Sequence, residues 1–522
     1  MRCALAPAWP LLAPALLLAL WVYTAHQLGP RWLAAGYDPD YQYLLNSLNI
    51  AQGHAPRQTI SPGTPAQALG GAVLRIRHAC TGAGSLRDQV LRDPEGGVAA
   101  IRLCFQSLNA AALLAFGIAA WRLTRSLPAS IAAQILPVAP WTCQFNSCVV
   151  APEPLLIGTT LCLCGVTLAA LSRDGPVRPR FARRSGLIVG LGLALKVTVA
   201  PIALVPLWGL RGRRRWLSFG IAALSAFVLG ILPILGQLGD FAAWLWHLFL
   251  GSGPYGTTSE GYPVVNPAKY ASDLATLVRA EPLAVAVFAA SAALLAHTRL
   301  RRGEALADVR AATFWRVLAL CTAAEALQFL LVAKHPEQRY LLPALSMTGL
   351  NLIAGLMLFR TAYPRRTARR LTLAGALALT VALAWTGRSN AIKLHDKHAF
   401  ADNLLRMHAE AIRDAERTGD TLVYFYGSSS LEYGLYFADF SAGYRYEDDL
   451  RALYPRTMSY NVWAGRFELD GRAVPEEEAA RALASERLVF QGPSYTLPKG
   501  IAFTALRKDT WEGLFRAAPP RE

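Results

Sequence analysis

Lysine is scarce in this chain: seven of its 52 basic residues are lysine and the rest arginine, which with abundant alanine suggests a high-GC bacterial source. Acids are also few, 35 in 522 residues, so the formal net charge is +17. Such a charge would suit a nucleic-acid binder. The interleaving of basic and aromatic residues that such binding needs is missing, however, and the arginines sit between apolar runs, which excludes nucleic acid as a partner. Of eight cysteines, Cys104, Cys162, Cys164 and Cys321 lie inside apolar runs, so a disulfide framework or a zinc site is excluded, and only Cys143 and Cys148 are spaced to pair. No internal repeat is evident, which counts against a transporter built from repeated halves.

What the chain has is apolar length. Hydrophobic residues make up 53% and the mean hydropathy is +0.29, too much for an ordinary soluble enzyme and typical of a polytopic membrane protein. The first run, 8–28, fits a bilayer core. A cleaved signal peptide would need a charged leader and a small-residue site; only Arg2 precedes the run and Tyr23-Thr24-Ala25-His26 is a poor site, so a retained helix is expected. Further runs lie near 101–121, 128–142, 152–171, 186–208, 216–238, 282–297, 313–333, 340–359 and 371–386. The connectors 122–127, 172–185, 209–215, 298–316 and 360–370 hold 21 arginines against three acids, which places them in the cytoplasm.

Both loops flanking Gly186–Leu210 then lie on one side. The segment therefore reads as two short helices meeting near Leu195–Thr198, with Lys196 at an external tip and eleven crossings in all. A single helix, with one connector on the wrong side, is the alternative. The N-terminus is cytoplasmic in this scheme. The outer face receives 29–100, 143–151, Lys196, 239–281, 334–339 and everything beyond 387.

Polar chemistry gathers on that face. Gly36-Tyr37-Asp38-Pro39-Asp40-Tyr41 puts two carboxylates after the first span, able to serve as base, metal ligand or helix cap. Leu44, Leu45, Leu48 and Ile50 follow at helical spacing and predict an amphipathic helix along the interface, ended by Gly53. Gln67–Ile76 predicts a second one, and 85–97 a polar, mobile loop. Glu153 opens the fourth span, where a helix N-terminus suits an acid. Trp244-Leu245-Trp246-His247 and the glycine-rich segment around Tyr255 read as an interfacial belt followed by a loop or lid. Lys334-His335-Pro336-Glu337-Gln338-Arg339-Tyr340 is either an interfacial anchor or an anion site, its arginine suited to bidentate phosphate contact. Glu325, inside a span, is the feature that favours a transporter.

Residues 387–522 carry 20 of the 35 acids and no further span, which predicts a small external α/β domain. Ala409–Arg417 reads as helix and Thr421–Tyr426 as strand. The turn Gly427–Ser430 lacks the full phosphate-binding fingerprint.

In order along one face, the acidic opening of the first external loop, Pro152-Glu153-Pro154, the run Gly190–Lys196 and His335–Pro343 resemble the GT-C class of polytopic glycosyltransferases. That class includes protein mannosyltransferases and aminoarabinose transferases that use polyprenyl-phosphate sugars. The resemblance covers residues 8–386. It implies a GT-C-like, mainly α transmembrane bundle with its catalytic loop at 29–100, and an inverting displacement that moves a sugar from a polyprenyl-phosphate donor to a hydroxyl of a lipid, glycan or protein acceptor.

Members often open the first loop with adjacent Asp and Glu; Asp38 keeps the distance to Gly53, while Pro39 breaks the pair. Asp38 is then the implied base, with Asp40 or Glu153 orienting the acceptor. Lys196, Lys334, His335 and Arg339 would hold phosphate, and His247, Tyr255 and Tyr340 would add substrate contacts. No cofactor and no metal are predicted, although two acids would suffice for a divalent ion. The expected setting is the bacterial inner membrane. The competing readings are a secondary transporter with a site near Lys196 and Glu325, and an assembly scaffold with an external interaction domain.

Overall fold

A computed structural model describes residues 9–33, 40–57, 63–82, 84–173, 175, 177–250, 264–300, 306, 308–425, 430–462, 464–475, 477–479, 488–492, 497–498, 501–508 and 513–517. The chain divides into two compact units. The first comprises 1–24, 59–66 and 102–392, the second 25–58, 67–101 and 393–522.

The first unit is helical. Among the described residues seven helical stretches are long and apolar enough to cross a membrane: Pro94–Thr124, Pro152–Leu171, Arg213–Leu250, Pro282–Leu300, Val309–Val332, Gln338–Ala362 and Arg366–Thr418. The first helix among the described residues is α1 (Trp9–Gln27). Pro14 lies within α1 and has no N–H to donate, which strips the Pro10 carbonyl of its intrahelical partner. Gln134 of α6 (Leu127–Ile135) supplies the missing donor, its Nε2 lying 3.1 Å from Pro10 O and 3.0 Å from Leu113 O. A proline inside this helix is thus tolerated because a neighbouring helix satisfies the freed carbonyl.

Two helices of this unit approach closely enough to exclude side chains. At Gly190 of α9 (Pro179–Leu195) an added Cβ would sit 2.0 Å from the carbonyl oxygen of Ala223 in α10 (Arg213–Ile231), and at Gly186 2.3 Å from that of Phe219. Small residues four apart let two helices touch backbone to backbone, the usual basis of helix association in lipid. Cys148 turns its thiol to the carbonyls of Trp21 and Gln144, at 3.4 and 3.3 Å, and no disulfide joins it to Cys143.

The second unit contains a seven-stranded sheet in the order β4-β3-β2-β1-β5-β7-β6, where β1 is Thr421–Phe425, β2 Met458–Asn461, β3 Arg466–Leu469, β4 Arg472–Ala473, β5 Leu488–Gly492, β6 Phe503–Lys508 and β7 Gly513–Ala517. The central β1 runs parallel to β2 and β5, and the outer pairs are antiparallel. Val423 and Phe425 alternate into a core with Phe467, Phe490 and Phe515. Burying each such side chain is worth about 1.5–3 kcal/mol.

Three expectations change here. The helix after the acidic opening, α2 (Asp40–Ala51), is not an interfacial helix with one wet face: ten of its twelve residues are buried. Its asparagines explain this, since Asn46 and Asn49 donate to the carbonyls of Ser441 and Ala442 at 3.2 and 3.1 Å, and the Tyr446 hydroxyl donates to Asn49 Oδ1 at 2.8 Å. Segment 85–97 is not a loop. Ser85 caps α4 (Leu86–Arg92) by accepting from the Asp88 N–H at 3.0 Å, and Pro94 opens α5 (Pro94–Thr124). The helix expected over Ala409–Arg417 is the end of a single 54-residue helix, Arg365–Thr418, stopped by Gly419 at φ +71°.

Candidate active site

The site in the first unit is built around a helix that stops early. α9 ends at Leu195, Lys196 is extended at φ −164°, ψ 132°, and tight 3-10 turns run from Val197 to Gly209. Pro201 and Pro206 in that stretch cannot donate to a regular α-helix. The break falls where the sequence predicted two short helices to meet.

Lys196 is buried, with its Nζ 2.5 Å from Glu153 Oε1 and 4.2 Å from the centre of the Tyr340 ring. Glu153 is the second residue of α8 (Pro152–Leu171), whose N-cap position is held by Ala151 without a side-chain cap bond. Glu153 therefore acts as an ion-pair partner rather than the cap foreseen. The Arg339 charge also bears on its carboxylate.

The charged turn after α14 (Val309–Val332) separates into different jobs. Lys334 Nζ donates to the carbonyls of Leu248 and Phe249, at 2.7 and 2.6 Å, satisfying the end of α11 (Leu238–Leu250). Burial holds its ammonium below the ordinary lysine value. His335 faces Tyr340 with ring centres 5.6 Å apart. Burial pushes the imidazole below its usual value; Glu337 opposes the shift, and the Arg339 and Lys196 charges reinforce it. Its surroundings therefore disfavour the charged imidazolium.

The Arg339 guanidinium lies 5.5 Å from the Tyr340 ring centre, so two cations lie within cation–π reach of one aromatic ring. The Tyr340 backbone is held by Gln328, whose Nε2 donates to its carbonyl at 2.7 Å. The Thr142 hydroxyl of α7 (Trp141–Asn146) donates to Glu281, with Gln338 Oε1 3.3 Å away. Glu325 accepts from Asn351 Nδ2 at 2.8 Å, so Glu325 and Lys196 are committed to separate partners.

In the second unit, Asp40 Oδ2 accepts from Arg31 Nε and Nη2 at 3.1 and 2.9 Å, both residues being buried. The Arg31 N–H and the Tyr41 hydroxyl converge on Glu95 Oε1, each at 2.7 Å. Burial, then the Glu95 charge, pushes the Tyr41 phenol well above its ordinary value. Asp40 is thus enclosed by an arginine. Asp38 and Tyr255 lie outside the described residues, and His247 is exposed in the last turn of α11. Among the described residues no group of three or more His, Cys, Asp or Glu side chains is placed to hold a metal.

The family described as glycosyltransferase family 87 matches residues 96–324. Two solved structures are similar over 98% of this chain and 98% of theirs at 13% identity: ArnT from Cupriavidus metallidurans bound to undecaprenyl phosphate, with a TM-score of 0.51, and the same protein in the apo state, with 0.52. The oligosaccharyltransferase of Archaeoglobus fulgidus covers 83% of this chain and 64% of its own at 11% identity, with a TM-score of 0.40. No curated protein matches the chain. The chain thus has the fold of ArnT, and residues 96–324 are similar to a glycosyltransferase family.

Several site residues escaped the sequence reading. Thr142 and Glu281 carry no local signal, because their partners lie elsewhere in the bundle. Arg31 and Glu95 stand out only once Asp40 and Tyr41 are known to be buried.

Proposed function

We propose that the protein moves a sugar from a polyprenyl-phosphate donor to an acceptor hydroxyl on the extracytoplasmic face of a bacterial inner membrane, with the N-terminus in the cytoplasm and anomeric inversion. The observation that carries this reading is the cluster of Lys196 and Arg339 about Tyr340, with Glu153 beneath, beside the broken helix. A departing lipid phosphate needs fixed cations in a site of low dielectric, where they act more strongly than in water. An arginine adds planar, bidentate geometry.

The step balances as a displacement. The acceptor oxygen forms a bond to the anomeric carbon, the bond from that carbon to the phosphate oxygen breaks, and the polyprenyl phosphate leaves with the electron pair. A carboxylate takes the hydroxyl proton. Asp38 is assigned that role, because Asp40 is tied to Arg31. Glu153 positions Lys196 instead of orienting the acceptor, and Lys334 holds the end of α11. The polyprenyl phosphate named in the ArnT structure supports this donor class.

Purified protein incubated with a panel of polyprenyl-phosphate sugars should release free polyprenyl phosphate with at least one donor and acceptor combination. Intact donor throughout the panel would remove the proposal.

A further inference from the structure

At the opposite end of α8 from Glu153, about 27 Å along the helix at 1.5 Å per residue, a second cavity of about 470 Å³ opens. Arg173, Arg211, Arg215, Arg310 and Arg316 line it, and Trp208 forms part of its wall. These arginines come from four stretches of chain: the segment after α8, the end of the 3-10 turns, the start of α10 and the start of α14. Arg215 also donates to the carbonyl of Gly209 at 3.3 Å, which fastens one edge of the pocket.

Arginine-rich connectors need no pocket to set membrane topology, since charge count alone does that. Here five guanidinium groups from separate elements share one concave space. An anion seated among them reduces their mutual repulsion, and a cleft lined by one sign of charge concentrates counter-ions. Guanidinium forks match phosphate oxygens two at a time.

We propose that this pocket is a second anion site, taking a phosphate-bearing group at the end of the bundle opposite the Glu153–Lys196 pair. The ligand chemistry is a phosphomonoester, phosphodiester or diphosphate, carried by a lipid headgroup or by a free soluble compound. The site is independent of which sugar the enzyme transfers.

Two probes separate the sources, both applied to the purified full-length protein. Native mass spectrometry from phosphatidylcholine nanodiscs containing phosphatidylglycerol reads retained anionic lipid. Titration with inorganic pyrophosphate in neutral detergent reads the rise in Tm. At least one probe should bind, and Arg173→Gln/Arg211→Gln/Arg310→Gln should weaken it about tenfold or more, the scale of losing charge-assisted contacts. Arg366→Gln/Arg369→Gln, which removes two like charges from another connector, should leave binding unchanged. Lipid retention alone identifies a headgroup, and pyrophosphate binding alone a soluble phosphate compound. Should the triple variant melt early without ligand, Arg211→Gln, at an exposed side chain, carries the comparison. Binding of neither probe, or equal losses in the lining and control variants, overturns the proposal.

Discussion

Lys196 and Glu153, 43 residues apart in sequence, meet as a buried ion pair at 2.5 Å, and Lys196 also lies 4.2 Å above the Tyr340 ring. Breaking a buried pair leaves one charge uncompensated, which costs about 3–5 kcal/mol, whereas replacing both charges is often close to neutral. Lys196→Met should therefore lower Tm sharply, and adding Glu153→Gln should recover most of that loss. Activity should not return in the double variant, because the cation has gone. A double-mutant cycle on Tm and turnover separates stability from chemistry; recovery of turnover in the double variant would remove Lys196 from the phosphate site.

Arg339 and Lys196 both contact the Tyr340 ring. Arg339→Ala should raise the KM for the lipid-linked donor roughly 10- to 100-fold, consistent with the loss of a charge-assisted contact, while Tm moves little. Arg339→Lys should recover part of the affinity, because it keeps the charge and loses the fork. Unchanged donor affinity would assign the residue to interfacial anchoring.

The approach of α9 to α10 fixes where the broken helix delivers Lys196. Because a Cβ at Gly190 would collide with the Ala223 carbonyl at 2.0 Å, Gly190→Ala should destabilise the protein by about 1–3 kcal/mol, the usual cost of overpacking. Turnover per folded molecule should fall as well. A variant with wild-type Tm would show that these helices separate freely.

Asp439, buried in the second unit, receives the Tyr446 N–H on both carboxylate oxygens at 3.1 and 3.2 Å. Burial nevertheless raises its carboxyl from 3.8 to about 7. Below pH 3.8 folded and unfolded chains both carry the proton. Between that value and about 7 only the folded chain keeps it, so stability falls as pH rises through this window and levels off above it. The total is a few kcal/mol at most, at about 1.4 kcal/mol per unit. Asp439→Asn should flatten the dependence of Tm on pH between 4 and 7, measured on the full-length protein in detergent. An unchanged slope would place the titration elsewhere.

The parts of this architecture legible in the sequence are those set by local composition. The arginine connectors on both sides of Gly186–Leu210 required a break, and the helix does end at Leu195. The acid-rich tail and the apolar run Thr421–Tyr426 announced a small α/β domain with a strand there, and β1 covers Thr421–Phe425. The parts that were not legible depend on distant partners. Leu44, Leu45 and Leu48 described one apolar face correctly, yet Asn46 and Asn49 are buried too, because carbonyls almost 400 residues later accept from them. The helix over Leu86–Arg92 had a local signal in Ser85 and Asp88, outweighed by the polarity around it. In the sequence Lys334, His335 and Arg339 all read as phosphate contacts, as donors of different geometry. Only the packing assigns one to a helix end, lowers the basicity of one by burial and sets one beside an aromatic ring.

The central claim is that a carboxylate of the first external loop removes the acceptor proton, and with Asp40 held by Arg31 that carboxylate is Asp38. The most direct measurement is single-turnover release of polyprenyl phosphate by Asp38→Asn, in protein that inserts into the membrane and melts like the wild type. The chemical step should slow about 10²- to 10⁴-fold, the range for losing a general base, with donor affinity unchanged. Transfer at the wild-type rate by Asp38→Asn would contradict the account.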